Sequence, residues 1–169
     1  MTEQVFDLGK ILTDEECDIL AGEVIEAYTT SKLNLETDKT HYNNSYGGMT
    51  PGCWEMLKKF RPLAEEKLGI SLNLANPYVR IYNPESTLNK HVDREGLDWT
   101  ISVCLFTNLD HPWPLKAKIT HWDEMEFPTI KGYAGLMNGR VIEHWREPLV
   151  CNEDQYVIQL FLHYTEIKM

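Results

Sequence analysis

The chain has 169 residues, with 16 basic and 26 acidic side chains and a formal charge of −10 at pH 7. This length is typical of a single domain, and it suffices to bury a core without disulfides or a structural metal. The acidic balance argues against nucleic-acid binding, which needs a basic surface, and against docking on anionic lipid. Hydrophobic residues make up 43% of the chain, which is typical of a globular protein and excludes extensive disorder.

The sequence favours a reduced, cytoplasmic environment. Its first ten residues, MTEQVFDLGK, are polar and acidic, unlike a secretion signal. No apolar run approaches the roughly 20 residues that span a membrane. The four cysteines are scattered and form no CxxC pair, which favours reduced thiols over two disulfides and does not support a zinc site: Cys17, Cys53, Cys104 and Cys151.

Two helices are predicted in the N-terminal part of the chain. Thr13 and Glu16 have the spacing of a capping box, and apolar residues at helical spacing follow them, so a helix is expected over about 14–29. A second helix is expected over about 52–68, with Pro62 kinking or interrupting it.

The segment between the helices, residues 31–52, is polar and rich in turn-forming residues. We interpret it as a solvated loop or, alternatively, as a flap over a pocket, because long irregular segments often cover sites. From residue 70 onward, turn residues separate eight short predicted strands, at about 70–75, 77–82, 88–92, 99–107, 114–119, 129–137, 140–145 and 154–164. Strands without helices between them favour a double sheet or a barrel over a parallel sheet.

Two His-x-Asp motifs stand out in this part of the chain, His91-Val92-Asp93 and His121-Trp122-Asp123. Alternation along a strand places His91 and Asp93 on one face, where both can bind the same metal ion. A third ligand from another strand would complete a face of two histidines and one carboxylate. This ligand set leaves adjacent coordination positions open and suits non-haem Fe(II) oxygen chemistry.

The surroundings favour the first motif. Tyr82 precedes His91 with eight residues between them, a Leu-Phe-Thr-Asn stretch follows at 105–108, and His-Trp-Arg-Glu follows at 144–147. This order of motifs, over residues 77–164, resembles the 2-oxoglutarate/Fe(II)-dependent dioxygenases, and most closely their prolyl-hydroxylase-like branch.

The resemblance implies a mainly β fold with N-terminal helices, built as a double-stranded β-helix or jelly-roll barrel. It implies one oxygenase domain, with a helical buttress and flap over 1–69 and the jelly-roll core over 70–169. His91, Asp93 and His144 are implied as the Fe(II) ligands. The implied reaction uses 2-oxoglutarate and O2 to hydroxylate a C–H bond of a peptidyl or free amino acid or a small metabolite, releasing succinate and CO2.

One feature of that family is missing here. About ten residues after the distal histidine, the family usually has a Lys or Arg that pairs with the far carboxylate of 2-oxoglutarate, and this chain has Gln155 there. Glutamine can donate a hydrogen bond to a carboxylate, but not a charge-assisted one. Tyr82 matches the tyrosine that contacts the cosubstrate in the family. Arg80, which shares its strand parity, is the first candidate for the missing cation and Arg146 the second, unless each forms an ordinary ion pair.

Several alternatives stay open at this point. His121 and Asp123 form a rival metal motif, with His144 or His163 as its third ligand. The main alternative function is a non-catalytic or degenerate jelly roll that binds a metal or another ligand, and Gln155 is its best support. A cupin-like enzyme is less favoured, because cupins usually supply three or four histidines. The predicted partner is a small-molecule or peptidyl substrate, without nucleic acid or membrane, and a homodimer is possible.

Overall fold

In the part of the chain that the structure describes, helices occur only in the first half, and strands make up the regular structure of the second. The computed structural model describes residues 3–37 and 42–168. Over these residues the elements are, in chain order, β1 (Val5–Lys10), α1 (Asp14–Thr29), β2 (Asn34–Glu36), β3 (Tyr42–Gly48), α2 (Pro51–Leu68), β4 (Leu72–His91), β5 (Trp99–Thr107), β6 (Leu115–Lys118), β7 (Glu124–Phe127), β8 (Tyr133–Met137), β9 (His144–Arg146) and β10 (Val157–Glu166).

The strands form one antiparallel sheet in the order β1-β8-β5-β10-β4-β9-β6-β7, with β3 paired to β4 and β2 paired to β3. Strands that are neighbours in the sheet are mostly not consecutive in the chain, so the chain crosses repeatedly between two layers. The curled, nearly closed sheet with two helices confirms the predicted jelly-roll fold class.

Strand β4 links the two layers by turning a corner. Its first half pairs with β10 and its last residues pair with β9, where His91 lies opposite His144. At the corner Pro84 has no N–H to donate to a ladder, and Glu85 adopts a left-handed φ of 72°. The N–H of Glu85 donates instead to the carbonyl of Leu149, at 2.7 Å. This corner carries the chain from the helix-covered layer to the layer that holds the first His-x-Asp motif.

Both helices pack on one face of the sheet, as a buttress. The alternation of β10 shows how this face is separated from the barrel interior. Its even-numbered side chains are buried in the main core, together with residues of both helices: Ile158, Leu160, Leu162 and Tyr164. Its odd-numbered side chains Gln159, Phe161 and His163 therefore point into the barrel, since successive strand residues face opposite ways.

The structure corrects several boundaries of the sequence prediction. Residues 31–52 contain the hairpin β2–β3, which pairs with β4, rather than an irregular loop, although positions 38–41 of the expected flap lie outside the described residues. The three strands expected between 70 and 92 are one continuous strand, and α2 runs through Pro62 without interruption. Strands β1 and β7 were not predicted, because their short stretches depend on pairing with distant partners.

The cysteines and the helices add two facts about the described residues. All four cysteines are free thiols, and three of them are buried: Cys17, Cys53 and Cys104. Burial raises the pKa of the Cys17 thiol to about 11. Of the two helices described, neither combines the length and the apolar character needed to cross a membrane.

The predicted capping box of α1 is confirmed, and its contribution to the free energy of unfolding can be measured. The Thr13 hydroxyl accepts the N–H of Glu16 at 3.1 Å, and the Glu16 carboxylate accepts the N–H of Thr13 at 3.0 Å. Thr13→Ala should lower the free energy of unfolding by about 1 kcal/mol, because one N-terminal donor loses its acceptor. Urea denaturation measures this. Thr29→Ala is the matched control, since its hydroxyl only donates to a carbonyl that the N–H of Thr30 also reaches.

Candidate metal centre

Three side chains that could hold a metal ion meet at one end of the barrel. His91 ends β4, His144 begins β9 directly opposite, and Asp93 follows two residues after His91. Oδ1 of Asp93 lies 3.2 Å from Nε2 of His144 and 3.5 Å from Nε2 of His91. One ligand atom from each residue lies within 4.8 Å of the other two. Among the residues that the structure describes, no other group of three His, Cys, Asp or Glu side chains meets this criterion.

Hydrogen bonds on the far side of each ring orient the two imidazoles. Nδ1 of His91 lies 2.6 Å from the carbonyl of Asn89, and Nδ1 of His144 lies 2.9 Å from the carbonyl of Ile142. A neutral histidine that donates from Nδ1 presents a lone pair at Nε2. Two such lone pairs and a carboxylate oxygen then converge, and this set of three acceptors fits a cation.

The Asp93 carboxyl is mostly buried, yet its surroundings keep it ionised. In the metal-free protein a proton on Nε2 of His144 or His91 takes the place of the cation and bonds to Asp93. Burial opposes the charge on Asp93, but these hydrogen bonds outweigh it and hold the pKa of Asp93 below its usual range. The backbone N–H of Asp93 donates to the carbonyl of Gly139 at 2.7 Å. A Cβ on Gly139 would lie only 2.0 Å from Oδ2 of Asp93, so a residue with a side chain does not fit there.

A second layer of side chains supports Asp93 from β5 and β10. The Thr100 hydroxyl lies 3.5 Å from Oδ2 of Asp93 and 2.8 Å from Nδ1 of His163. Burial lowers the pKa of His163 to about 4, so this ring is neutral near pH 7. His163 contacts Thr100 and is not a member of the group of three.

A cavity of about 680 Å³ opens from the three side chains into the barrel. This volume lies within the usual range for small-molecule sites. Inward-facing residues of β4, β5 and β10 line its walls: Asn76, Tyr78, Arg80, Ser102, Phe161 and His163. Glu36 of β2 also lines it, so the hairpin that was expected to be a loop contributes to the cavity.

Arg80 lies in this cavity, but it already has an anionic partner. Its Nε lies 3.0 Å from Oε1 of Glu36 and its Nη2 lies 3.4 Å from Oε2. Burial opposes the charge on Arg80, while Tyr82 and Glu36 raise its pKa above the ordinary value. Glu36 and Arg80 are 44 residues apart in sequence, and no local signal linked them.

Arg146 is buried deeper, and among the described residues no carboxylate pairs with it. Its Nη1 donates to the carbonyl of Trp113 at 3.0 Å and to the hydroxyl of Thr129 at 2.7 Å. Its Cζ lies 5.4 Å from the ring centroid of Tyr82. Nε of Arg146 and the Tyr82 hydroxyl are both buried and have no hydrogen-bond partner within the described chain. The charge of Arg146 therefore has no anion beside it among the described residues, and burying a guanidinium in this way costs free energy.

Arg146 and Tyr82 are buried and are not among the residues that line the cavity. The structure does not bring Gln155 or the rival metal motif to it either. The Gln155 side chain accepts the N–H of Asn152 and donates to the carbonyl of Asn108, before β10 begins. The strand expected over 154–164 begins only at Val157, so Gln155 lies outside it. His121 lies on the exposed β6–β7 connection and does not join the rival metal group.

Comparison with known proteins supports the fold. No family model and no curated protein sequence matches the chain. A prolyl-4-hydroxylase from Pseudomonas putida matches with a TM-score of 0.78 at 14% identity, over 98% of this chain and 94% of that one. A non-haem α-ketoglutarate-dependent carbocyclase from nogalamycin biosynthesis matches at 0.76 and 11% identity, over 98% and 80%. A prolyl hydroxylase from Trichoplax adhaerens, in complex with a hypoxia inducible factor peptide, matches at 0.76 and 14% identity, over 98% and 84%.

These likenesses define the class of fold. The chain has the fold of the prolyl hydroxylases and other 2-oxoglutarate-dependent oxygenases, so the resemblance carried by the motifs is confirmed at the level of the fold. The names of these three structures describe two prolyl hydroxylases and one carbocyclase, so the fold alone does not select a reaction or a substrate.

The buried neutral His163 predicts a specific pH dependence of stability. The unfolded chain binds a proton at this residue near pH 6.5, whereas the folded protein does so only near pH 4, so acid favours unfolding across that window. In His163→Asn this contribution is absent, and the stability of the metal-free variant should fall less steeply, by up to about 1.4 kcal/mol per pH unit. Denaturant titrations across the window measure the slopes, and equal slopes would contradict the assignment.

Proposed function

We propose that this protein is an Fe(II)- and 2-oxoglutarate-dependent oxygenase that hydroxylates a C–H bond of a small molecule or a peptidyl residue. The observation that carries this proposal is the convergence of His91, Asp93 and His144 at the mouth of a ligand-sized cavity. Two imidazoles and one carboxylate on one side of an ion leave adjacent positions open, as a non-haem Fe(II) oxygenase requires. The shared fold of 2-oxoglutarate-dependent oxygenases supports the same conclusion.

The roles of the chain's own residues follow from their geometry. His91 and His144 supply neutral Nε2 ligands, and Asp93 supplies a carboxylate that its surroundings keep ionised. Gly139 leaves the space in which Asp93 lies. When bound, Fe(II) would couple O2 activation to the oxidative decarboxylation of 2-oxoglutarate to succinate and CO2. The barrel walls orient both organic molecules and limit access of water.

For the far carboxylate of 2-oxoglutarate we infer that Arg146, with Tyr82, is the partner. This reverses the order expected from the sequence, where Arg80 came first. Arg80 is occupied by Glu36, whereas Arg146 is buried without a carboxylate partner and lies beside an unpaired Tyr82 hydroxyl. A ligand carboxylate would satisfy both groups at once, with the charge-assisted bonds that Gln155 was not able to offer.

A non-catalytic, ligand-binding jelly roll is the second candidate, and one experiment separates it from the oxygenase. Anaerobic protein with Fe(II) and 2-oxoglutarate should develop the visible charge-transfer absorption of a chelated keto acid, and air should then produce succinate. A protein that binds Fe(II) but stays colourless and forms no succinate would refute the oxygenase.

Gly139→Ala tests the metal centre in the same assay. Its methyl group takes the space of Oδ2 of Asp93, so Fe(II) affinity should fall by about tenfold or more. Gly22→Ala is the matched control, because a methyl group there meets no atom within 4 Å. The control should keep wild-type Fe(II) affinity and absorption, and a similar loss in both variants would contradict the positioning role of Gly139.

A pair of keto acids tests the assignment of Arg146. Wild-type protein should bind 2-oxoglutarate more tightly than 2-oxopentanoate, which has the same length but no far carboxylate. Arg146→Gln should reduce this preference by about tenfold or more, because a charge-assisted bond is lost, and Arg80→Gln should leave it largely intact. Arg146→Lys retains the charge without the fork and covers the case in which Arg146→Gln does not fold. Loss of the preference only in Arg80→Gln would refute the assignment.

A further inference from the structure

In the wall of the cavity beside the candidate metal ligands, neighbouring side chains bind a carboxylate of the protein itself, that of Glu36. Glu36 accepts hydrogen bonds from Nε and Nη2 of Arg80, at 3.0 and 3.4 Å, and from the Tyr78 hydroxyl at 3.1 Å. The side chains of Arg80 and Glu36 are only 11% and 10% exposed. All three residues line the same cavity as the candidate metal ligands.

The Glu36 carboxylate occupies space that a side chain at position 47 would fill. A Cβ on Gly47 would lie 2.1 Å from Oε1 of Glu36 and 2.5 Å from the Tyr78 hydroxyl. Gly47 does not have a positive φ, so its backbone conformation is open to any residue. The glycine is therefore explained by the close approach of the carboxylate, and not by the turn of the chain.

The cation is held in place by aromatic rings. Cζ of Arg80 lies 5.3 Å from the ring centroid of Tyr78 and 5.5 Å from that of Phe161. Arg80 and Tyr78 lie on β4, which has neighbours on both sides in the sheet. Glu36 lies on β2, a strand of three residues whose only described pairing is with β3. The cationic group is thus on a well-supported strand, and the anionic group is on a short strand at the edge.

Stability alone does not account for this ion pair. Removing two charges from water costs about as much as their attraction returns, and apolar side chains would serve the interior equally well. Here the pair also faces a cavity next to the candidate metal ligands. A fork of two N–H donors beside a phenol is suited to a carboxylate, and the bound Glu36 shows that one fits there.

We propose that Arg80, Tyr78 and Gly47 form a carboxylate subsite for the substrate, which Glu36 fills in the ligand-free protein and a substrate carboxylate takes over. This inference rests on the proposed function, in which Arg146 binds the cosubstrate. It narrows the substrate to a molecule with a free carboxylate. Glu36 is then an internal competitor that weakens substrate binding.

Two substitutions should act in opposite directions. In Glu36→Gln the competitor loses its charge, so an added carboxylate should bind about tenfold more tightly. In Gly47→Ala the methyl group fills the subsite and should abolish binding. The probe is 4-fluorophenylacetate, with its uncharged amide as the control ligand, followed by 19F NMR line broadening in metal-free protein. Asp18→Asn is the control variant, since it removes the acidic partner of Lys131 on the exposed surface.

The expected result is broadening by the acid and not by the amide, stronger in Glu36→Gln, lost in Gly47→Ala and unchanged in Asp18→Asn. Equal broadening by acid and amide in Glu36→Gln, or no broadening there, would overturn the subsite. Glu36→Ala gives the same test if Glu36→Gln does not fold. Because no metal or turnover is involved, these outcomes do not depend on whether the oxygenase proposal holds.

A second arm separates the substrate from the cosubstrate as the source of the carboxylate. In anaerobic Fe(II)-loaded protein, saturating 2-oxoglutarate should leave the probe bound to Glu36→Gln. Displacement of the probe by 2-oxoglutarate, but not by 2-oxopentanoate, would assign the subsite to the cosubstrate and overturn its assignment to the substrate. A peptide without a free carboxylate that stimulates succinate formation equally in wild type and Gly47→Ala would also overturn it.

Discussion

The central constraint in this protein is the close approach of three acceptor atoms: Oδ1 of Asp93, Nε2 of His91 and Nε2 of His144. Two imidazole nitrogens that approach a carboxylate oxygen within 3.5 Å need a proton or a cation between the acceptor atoms. The pairing of β4 with β9 places His91 opposite His144, and Gly139 leaves room for the Asp93 carboxylate beside them. The corner in β4 serves the same end, because it carries His91 from the helix-covered layer to β9.

The barrel interior resolves its other charges in two different ways. Glu36 neutralises Arg80 through a bidentate pair, whereas Arg146 has neutral acceptors and aromatic rings around it within the described chain. Burial lowers the pKa of Arg146, which reflects the cost of a charge without an anion. The two arginines therefore differ in their partners. Arg80 already has an anionic partner in the protein, whereas Arg146 has none among the described residues. A cosubstrate and a substrate with separate carboxylates would explain why both are present.

Prediction from sequence worked where the signal was local. The apolar core face of β10 and the near-continuous apolar run of β5 are visible as strand patterns, and the capping box of α1 is visible as a four-residue motif. It did not work for β2 and β3, whose polar residues form strands because β4 offers backbone partners to β3, and β3 offers them to β2. Glu36 was missed for this reason, and so was its pairing with Arg80.

The sequence by itself determined the fold class and the three candidate metal ligands, because strand alternation and motif order depend on short spacings and on a recognisable train of residues. Only the tertiary structure decided which arginine has an anionic partner, that Gln155 lies outside the cavity, and that Gly47 and Gly139 leave space for carboxylates. The physical reason is distance along the chain. Charge pairing and close packing join groups tens of residues apart, and no spacing rule relates their positions before the strands are assembled.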